Sequence, residues 1–159
     1  MGDYMRSNVK FFLEEHKELL RENRFKELYL DAIEEIPYQV GNMTAAFMQA
    51  GINPLLYVDK VLPLMFSNSM IKEIVIPDNI RAINSNAFRD CFELKQITIP
   101  KSVKGIHIAA FKGCYELSHI FYQGTTVDWN AMYVEPSTFW DCAVGVVDCI
   151  DGEVLLPEA

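Results

Sequence analysis

Residues 73–95 read EIVIPDNIRAINSNAFRDCFELK, and residues 96–118 read QITIPKSVKGIHIAAFKGCYELS. Laid one above the other, the two stretches match at a spacing of 23. Ile74 falls on Ile97, Ile76 on Ile99, Pro77 on Pro100, Ile83 on Ile106, Ala87 on Ala110, Phe88 on Phe111, Cys91 on Cys114 and Leu94 on Leu117. A third copy begins after them, with Ile120 and Tyr122 where Ile97 and Ile99 stand. A fixed period of this length with recurring aliphatics marks a unit that buries its apolar face only against copies of itself. The chain therefore contains stacked repeats.

Each repeat parses by residue chemistry. Strand side chains alternate, so in Ile74-Val75-Ile76 and Ile97-Thr98-Ile99 the outer residues point inward and the middle one outward. Proline ends the strand, and a second extended piece carries Ile80 or Val103, then Ile83 or Ile106, back inside. The NAF-RDC and AAF-KGC segments are expected to form a short helix whose Phe and Cys face the core, with Leu94 and Leu117 leading into the next strand. Leu64-Met65 and Ile71 stand one repeat length before Ala87-Phe88 and Leu94, so residues 63–72 read as a degenerate half repeat. Downstream, FWDC echoes FRDC, with Phe139 and Cys142 spaced like Phe88 and Cys91. VVDCIDGEVLL places Asp151-Gly152 between two strand-like runs, a hairpin signal.

The segment 1–62 reads as helices. Ser7 or Asn8 is the expected cap of a helix reaching about Arg21. Asn23 should cap a second, RFKELYLDAIEEI, which Pro37 stops because an interior proline loses a hydrogen bond and clashes. Asn42 should cap a third, ending at Gly51, and Asn53-Pro54 should open a fourth along LLYVDKVL.

The I-x-I-P-x-x-[IV]-x-x-I-x-x-x-A-F-x-x-C-x-x-L pattern of residues 74–94 and 97–117 resembles the BspA-like leucine-rich repeats. YQGTTVDWNAM, residues 122–132, is similar to that family's terminal unit. The resemblance covers residues 64–132, and reaches 155 if the FWDC and DCIDGEV tail is counted. Its motif is specific for fold and weakly specific for function. It implies a short right-handed leucine-rich-repeat solenoid over 63–132; with the helical lobe over 1–62 and an acidic C-terminal cap over 133–159, the chain reads as α+β. Many family members look like exported surface proteins with long arrays. This chain has two full repeats, no export signal pattern and a helical lobe, and so resembles the short cytosolic members found in bacterial, prophage and phage genomes.

Composition bounds the rest. At 159 residues, half of them apolar, the chain has core enough without staples. No apolar run approaches the roughly 18 residues of a membrane span. Met1–Arg6 lacks a secretory pattern, and Arg6 stands where a myristoylation motif beginning at Gly2 wants Ser or Thr. The bacterial cytoplasm is thus the expected location, and the four cysteines are expected to be reduced thiols. The net charge of −8 is unevenly placed: from Thr126 to Ala159 there are seven carboxylates and no Lys or Arg. Such a chain repels phosphate backbones, which argues against direct nucleic-acid binding.

No residue set points to catalysis. Cys91 and Cys114 share a repeat position that wants a small apolar side chain, and Cys142 and Cys149 have no C-x-x-C spacing. His16, His107 and His119 lie in separate elements. Phosphate-cradling, nucleophile-elbow and H-E-x-x-H motifs are all missing from the sequence. No cofactor or metal is expected. Trp129 reads as a core cap, and Trp140 as interface material.

The expected activity is binding of another protein through the outward column Glu73, Val75, Gln96, Thr98, His119 and Phe121, flanked by Trp140, Asp141 and Asp148. Val75 and Phe121 are large apolar groups facing outward, which a sheet meeting only water does not favour. In a mobile element such a chain suggests an inhibitor of a host defence protein. Two further readings stay open: an acidic nucleic-acid mimic filling a basic channel of a nuclease, and a self-associating structural or surface protein.

Overall fold

The computed structural model describes residues 2–158, with side chains described from Asn8 onward. The side chains of Ser7 and Arg6 lie outside the described residues, as does Met1. The chain is α+β. Four helices open it: α1 (Gly2–Glu15), α2 (Lys17–Arg21), α3 (Phe25–Glu35) and α4 (Val40–Gln49).

Several helix boundaries differ from the sequence reading. α1 begins at Gly2, so neither Ser7 nor Asn8 is its cap, and it breaks at His16 before α2. At that break the His16 ring stacks on Phe12, and His16 Nδ1 lies 2.8 Å from the Phe12 carbonyl. Asn23 takes a left-handed φ of 55° that ends α2, and α3 starts only at Phe25 with no side-chain cap. Asn42 sits inside the first turn of α4 and does not cap it. Gly51, at φ 82°, closes that helix as expected. Asn53 does act as a cap, its Oδ1 accepting from the Leu55 N–H at 3.1 Å. What it caps is a single 3-10 turn, Pro54–Tyr57, not a helix along LLYVDKVL.

The repeats follow. Strands β1 (Glu73–Val75), β2 (Gln96–Ile99) and, after the short β3 (Gly105–Ile106), β4 (His119–Tyr122) line up in parallel. Their register is the sequence period itself: Glu73 pairs with Gln96 and Gln96 with His119. The second extended piece forms its own parallel row. Val61 pairs with Ile83, Ile83 with Ile106, and Ile106 with Val134 of β5 (Tyr133–Val134). Val61 already belongs to this row, so the stack reaches back to Asp59, whose carbonyl accepts from Arg81 N–H.

The NAF-RDC and AAF-KGC segments are turns and not helices. Asn86 and Asp90, then Ala109 and Gly113, all have positive φ, and two left-handed residues so close together interrupt any right-handed helix. Leu64 and Asn68 play the parts of Asn86 and Asp90 in the first coil. There the spacing slips by one. Phe66, not Met65, stacks on Phe88.

Beyond β4 a helix, α5 (Thr126–Ala131), carries a capping box in which Thr125 and Asp128 exchange side-chain and backbone bonds. The sequence reading missed it. β6 (Val146–Cys149) then adds a fourth parallel strand to the sheet, and β7 (Gly152–Leu155) returns antiparallel as the hairpin the sequence signalled. The turn residues are Ile150-Asp151, one place earlier than expected. The resulting order is β1-β2-β4-β6-β7.

One apolar core runs from Val9 to Val147, without a break between helices and repeats. Four rings form its spine: Phe66, Phe88, Phe111 and Phe139, stacked at 4.9, 5.1 and 5.1 Å. A polar thread ties the helices to the stack. Tyr29 O–H donates to Thr44 Oγ1 at 2.6 Å, and Thr44 donates onward to the Met65 carbonyl.

Candidate binding surface

The outward side of the sheet is built by register. Val75 stands beside Thr98, Thr98 beside Phe121, Phe121 beside Asp148, and Asp148 beside Glu153. This row crosses all five strands at about 4.8 Å per step. A second row runs Glu73, Gln96 and His119. One residue back from the Ile120–Val147 pair it continues to Val146, which pairs with Leu155. Val75 is 64% exposed and Phe121 38%, on strands whose alternate residues are buried.

The face has internal order. Gln96 Nε2 donates to Glu73 Oε2 at 2.8 Å, across the two strands. His119 and Phe121 stack at 5.9 Å with their planes 7° apart, because residues two apart on a strand share a side. Asp148 and Glu153 sit directly opposite each other on the hairpin, where like charges repel. Glu73 apart, whose carboxylate is bound by Gln96, the surface thus grades from an apolar and amide region at β1–β2, through an aromatic centre, to a negative end.

Trp140 and Asp141 are placed elsewhere. They follow Phe139, which stacks on Phe111, so they occupy the turn tier and not the sheet rows. Trp129 is 4% exposed and meets Tyr122 edge-on, capping the core. Glu153, Val146 and Leu155 were missed as face residues. The hairpin was legible, but only the β4–β6 pairing says which of its sides faces out. An exposed ring pair, Phe92 on Tyr115 at 6.0 Å, was also missed, although both stand one residue after the repeat cysteine.

The cysteines have a structural duty. Cys91 donates its S–H to the Phe66 carbonyl at 3.0 Å, Cys114 to Phe88 at 2.9 Å, and Cys142 to Phe111 at 3.6 Å. Each thiol thereby ties one turn to the carbonyl of the turn before it, which a purely apolar residue of that size cannot do. Among the described residues no group of three or more His, Cys, Asp or Glu is placed to hold a metal. No described helix is long and apolar enough to cross a membrane.

Burial, with the charge of Asp141, pushes the Cys142 thiol up from 9.0 to about 12. Cys114 is also pushed up, by its neighbour Cys91 and by burial. A thiol whose pKa is raised by folding contributes fully below the unfolded value and loses that contribution as pH climbs toward the folded one. The urea midpoint should therefore decline between pH 9 and 12, and Cys142→Ser should remove part of the decline. An identical pH profile for the two chains would show that this thiol is not held protonated by the fold.

Residues 59–144 match the family described as the BspA type Leucine rich repeat region, in 6 copies. Among solved structures, a leucine rich cell surface protein from Faecalibacterium prausnitzii A2-165 is similar at 41% identity. That match covers 40% of this chain and 17% of the other, with a TM-score of 0.39. The chain thus corresponds to a small part of that protein's length. No curated protein matches the chain.

Proposed function

We propose that this chain, which belongs to the BspA-type leucine-rich-repeat family, is a non-catalytic protein-binding module. The observation that carries the reading is the row Val75–Thr98–Phe121–Asp148–Glu153. It sets exposed apolar and aromatic groups beside unneutralised carboxylates on the most regular part of the fold. Side chains already held by strand pairing lose little freedom on association, so their contact energy goes to affinity. A matching partner offers an apolar groove rimmed by Lys or Arg, with the carboxylates mainly speeding encounter.

The stack is read as a short right-handed solenoid, with the helices covering one end and the acidic hairpin region the other. Its target is read as a host protein met in the bacterial cytoplasm, which suits an inhibitor. Nucleic-acid mimicry fits less well, because it needs dense free carboxylates. Here Asp128 is engaged as a cap, accepting from the Thr125 N–H and lying 3.5 Å from Lys101, and Asp151 accepts from the Thr126 N–H.

The test compares capture from a bacterial host lysate by the native chain and by Val75→Ala/Phe121→Ala, followed by mass spectrometry and titration of the captured protein. The double variant should bind it at least ten-fold more weakly with a nearly unchanged melting temperature. Neutralising Asp148 should slow association and flatten its salt dependence. Normal binding by the double variant would make the repeats a scaffold only.

A further inference from the structure

A trough of about 770 Å³ lies away from the sheet, between α1–α2 on one side and α4 on the other, floored by Asn68–Met70. Its α4 wall is Asn42, Ala45, Ala46 and Gln49, an i, i+3, i+4, i+7 set that forms one face of a helix. The other wall is lined by Val9 and Leu13 of α1 and by Leu20 of α2, on either side of the break at His16. Leu13, Leu20 and Ala45 are only half-buried, and Met70 is 77% exposed. Two helix faces therefore converge on the trough with apolar groups turned into it. The alanines of α4 allow another backbone to approach closely.

Charge marks one rim. Lys10 and Lys17 stand along the α1–α2 wall with Glu14 between them, whereas the α4 wall carries only neutral amides. Neither lysine is in an ion pair among the described residues. Two lysines against the one carboxylate of Glu14 leave this rim one charge positive, in a chain of net charge −8.

We infer that the trough takes an amphipathic helix of a partner protein, its apolar stripe seated on Leu13, Ala45, Ala46 and Met70. Carboxylates along one flank of that helix meet Lys10 and Lys17. This is recognition of a helix in a groove, in which residues at i, i+3, i+4 and i+7 act as anchors. It stands apart from the sheet-face reading, since no trough residue lies on the outward rows.

The test is selection of a displayed library of four-turn helices, with a fixed Leu/Ala stripe and randomised flanks, against the full chain. Enriched helices should carry Asp or Glu on a single flank. They should bind at least ten-fold more weakly to Lys10→Glu/Lys17→Glu and to Ala46→Trp, a substitution at an exposed site that fills the trough. They should bind Val75→Ala/Phe121→Ala unchanged, which separates this proposal from the sheet-face one. Enrichment without an acidic flank, equal binding to Ala46→Trp, or no enrichment overturns the inference. So does a dimer in native mass spectra that Ala46→Trp abolishes, which would assign the trough to a second copy. Displacement of the helices by micromolar dodecanoate would assign it to a long-chain acid, and overturns it too.

Discussion

Phe111→Ala should unfold the chain at temperatures where the native sequence is stable. The ring is fully buried and sits third in the four-ring spine, 5.1 Å from both Phe88 and Phe139. Truncation removes contact on both sides, and the coils cannot close the gap because the strand ladder fixes their spacing. A buried Phe→Ala change costs about 3–5 kcal/mol through lost transfer energy and the cavity left behind. Typical domain stability is about 5–15 kcal/mol, so a large share of the margin goes. Phe66→Ala, at the end of the spine, should cost less. Urea denaturation of both variants checks the order. A loss under about 1 kcal/mol for Phe111→Ala, far below the usual cost of such a cavity, would mean that the rings do not support one another.

Gly41→Ala should be the second large effect, and its sign is informative. Gly41 is buried in the first turn of α4, where an alanine normally favours a helix by up to about 1 kcal/mol. Here an added Cβ would lie 1.9 Å from the Ser67 carbonyl oxygen and 2.9 Å from its carbonyl carbon. Both are backbone atoms, so no rotamer relieves the contact. α4 has to move off the first coil, and Thr44, one turn along, would lose its bond to the Met65 carbonyl. Overpacking of this kind costs about 1–3 kcal/mol, outweighing the propensity gain. Chemical denaturation that shows the variant more stable than the native chain would mean that α4 does not dock on residues 66–67.

The sequence by itself determined the repeat and everything that recurs with it. The same environment is met once in every repeat, so a residue type that returns at one phase reports burial at that phase. Ile74, Ile97 and Ile120 point inward, Phe88 and Phe111 stack, and Cys91 and Cys114 are buried, all as their spacing requires. The outward rows were half legible for the same reason: alternation fixes Val75, Thr98 and Phe121 on one side. Local chemistry also marked Gly51, the Asn53 cap and the C-terminal hairpin.

Tertiary structure decided what happens once. The one-residue slip that puts Phe66 on Phe88 follows from a shortened first coil, and no second copy of that coil exists to expose it. Whether Asp148 and Glu153 join the face depends on β6 pairing with β4, a contact between segments that no shared period connects. The docking of α4 rests on a glycine and a threonine whose partners lie in the first coil, far along the chain. A missing Cβ or a single hydroxyl leaves no pattern in a sequence, because its meaning is the atom it meets.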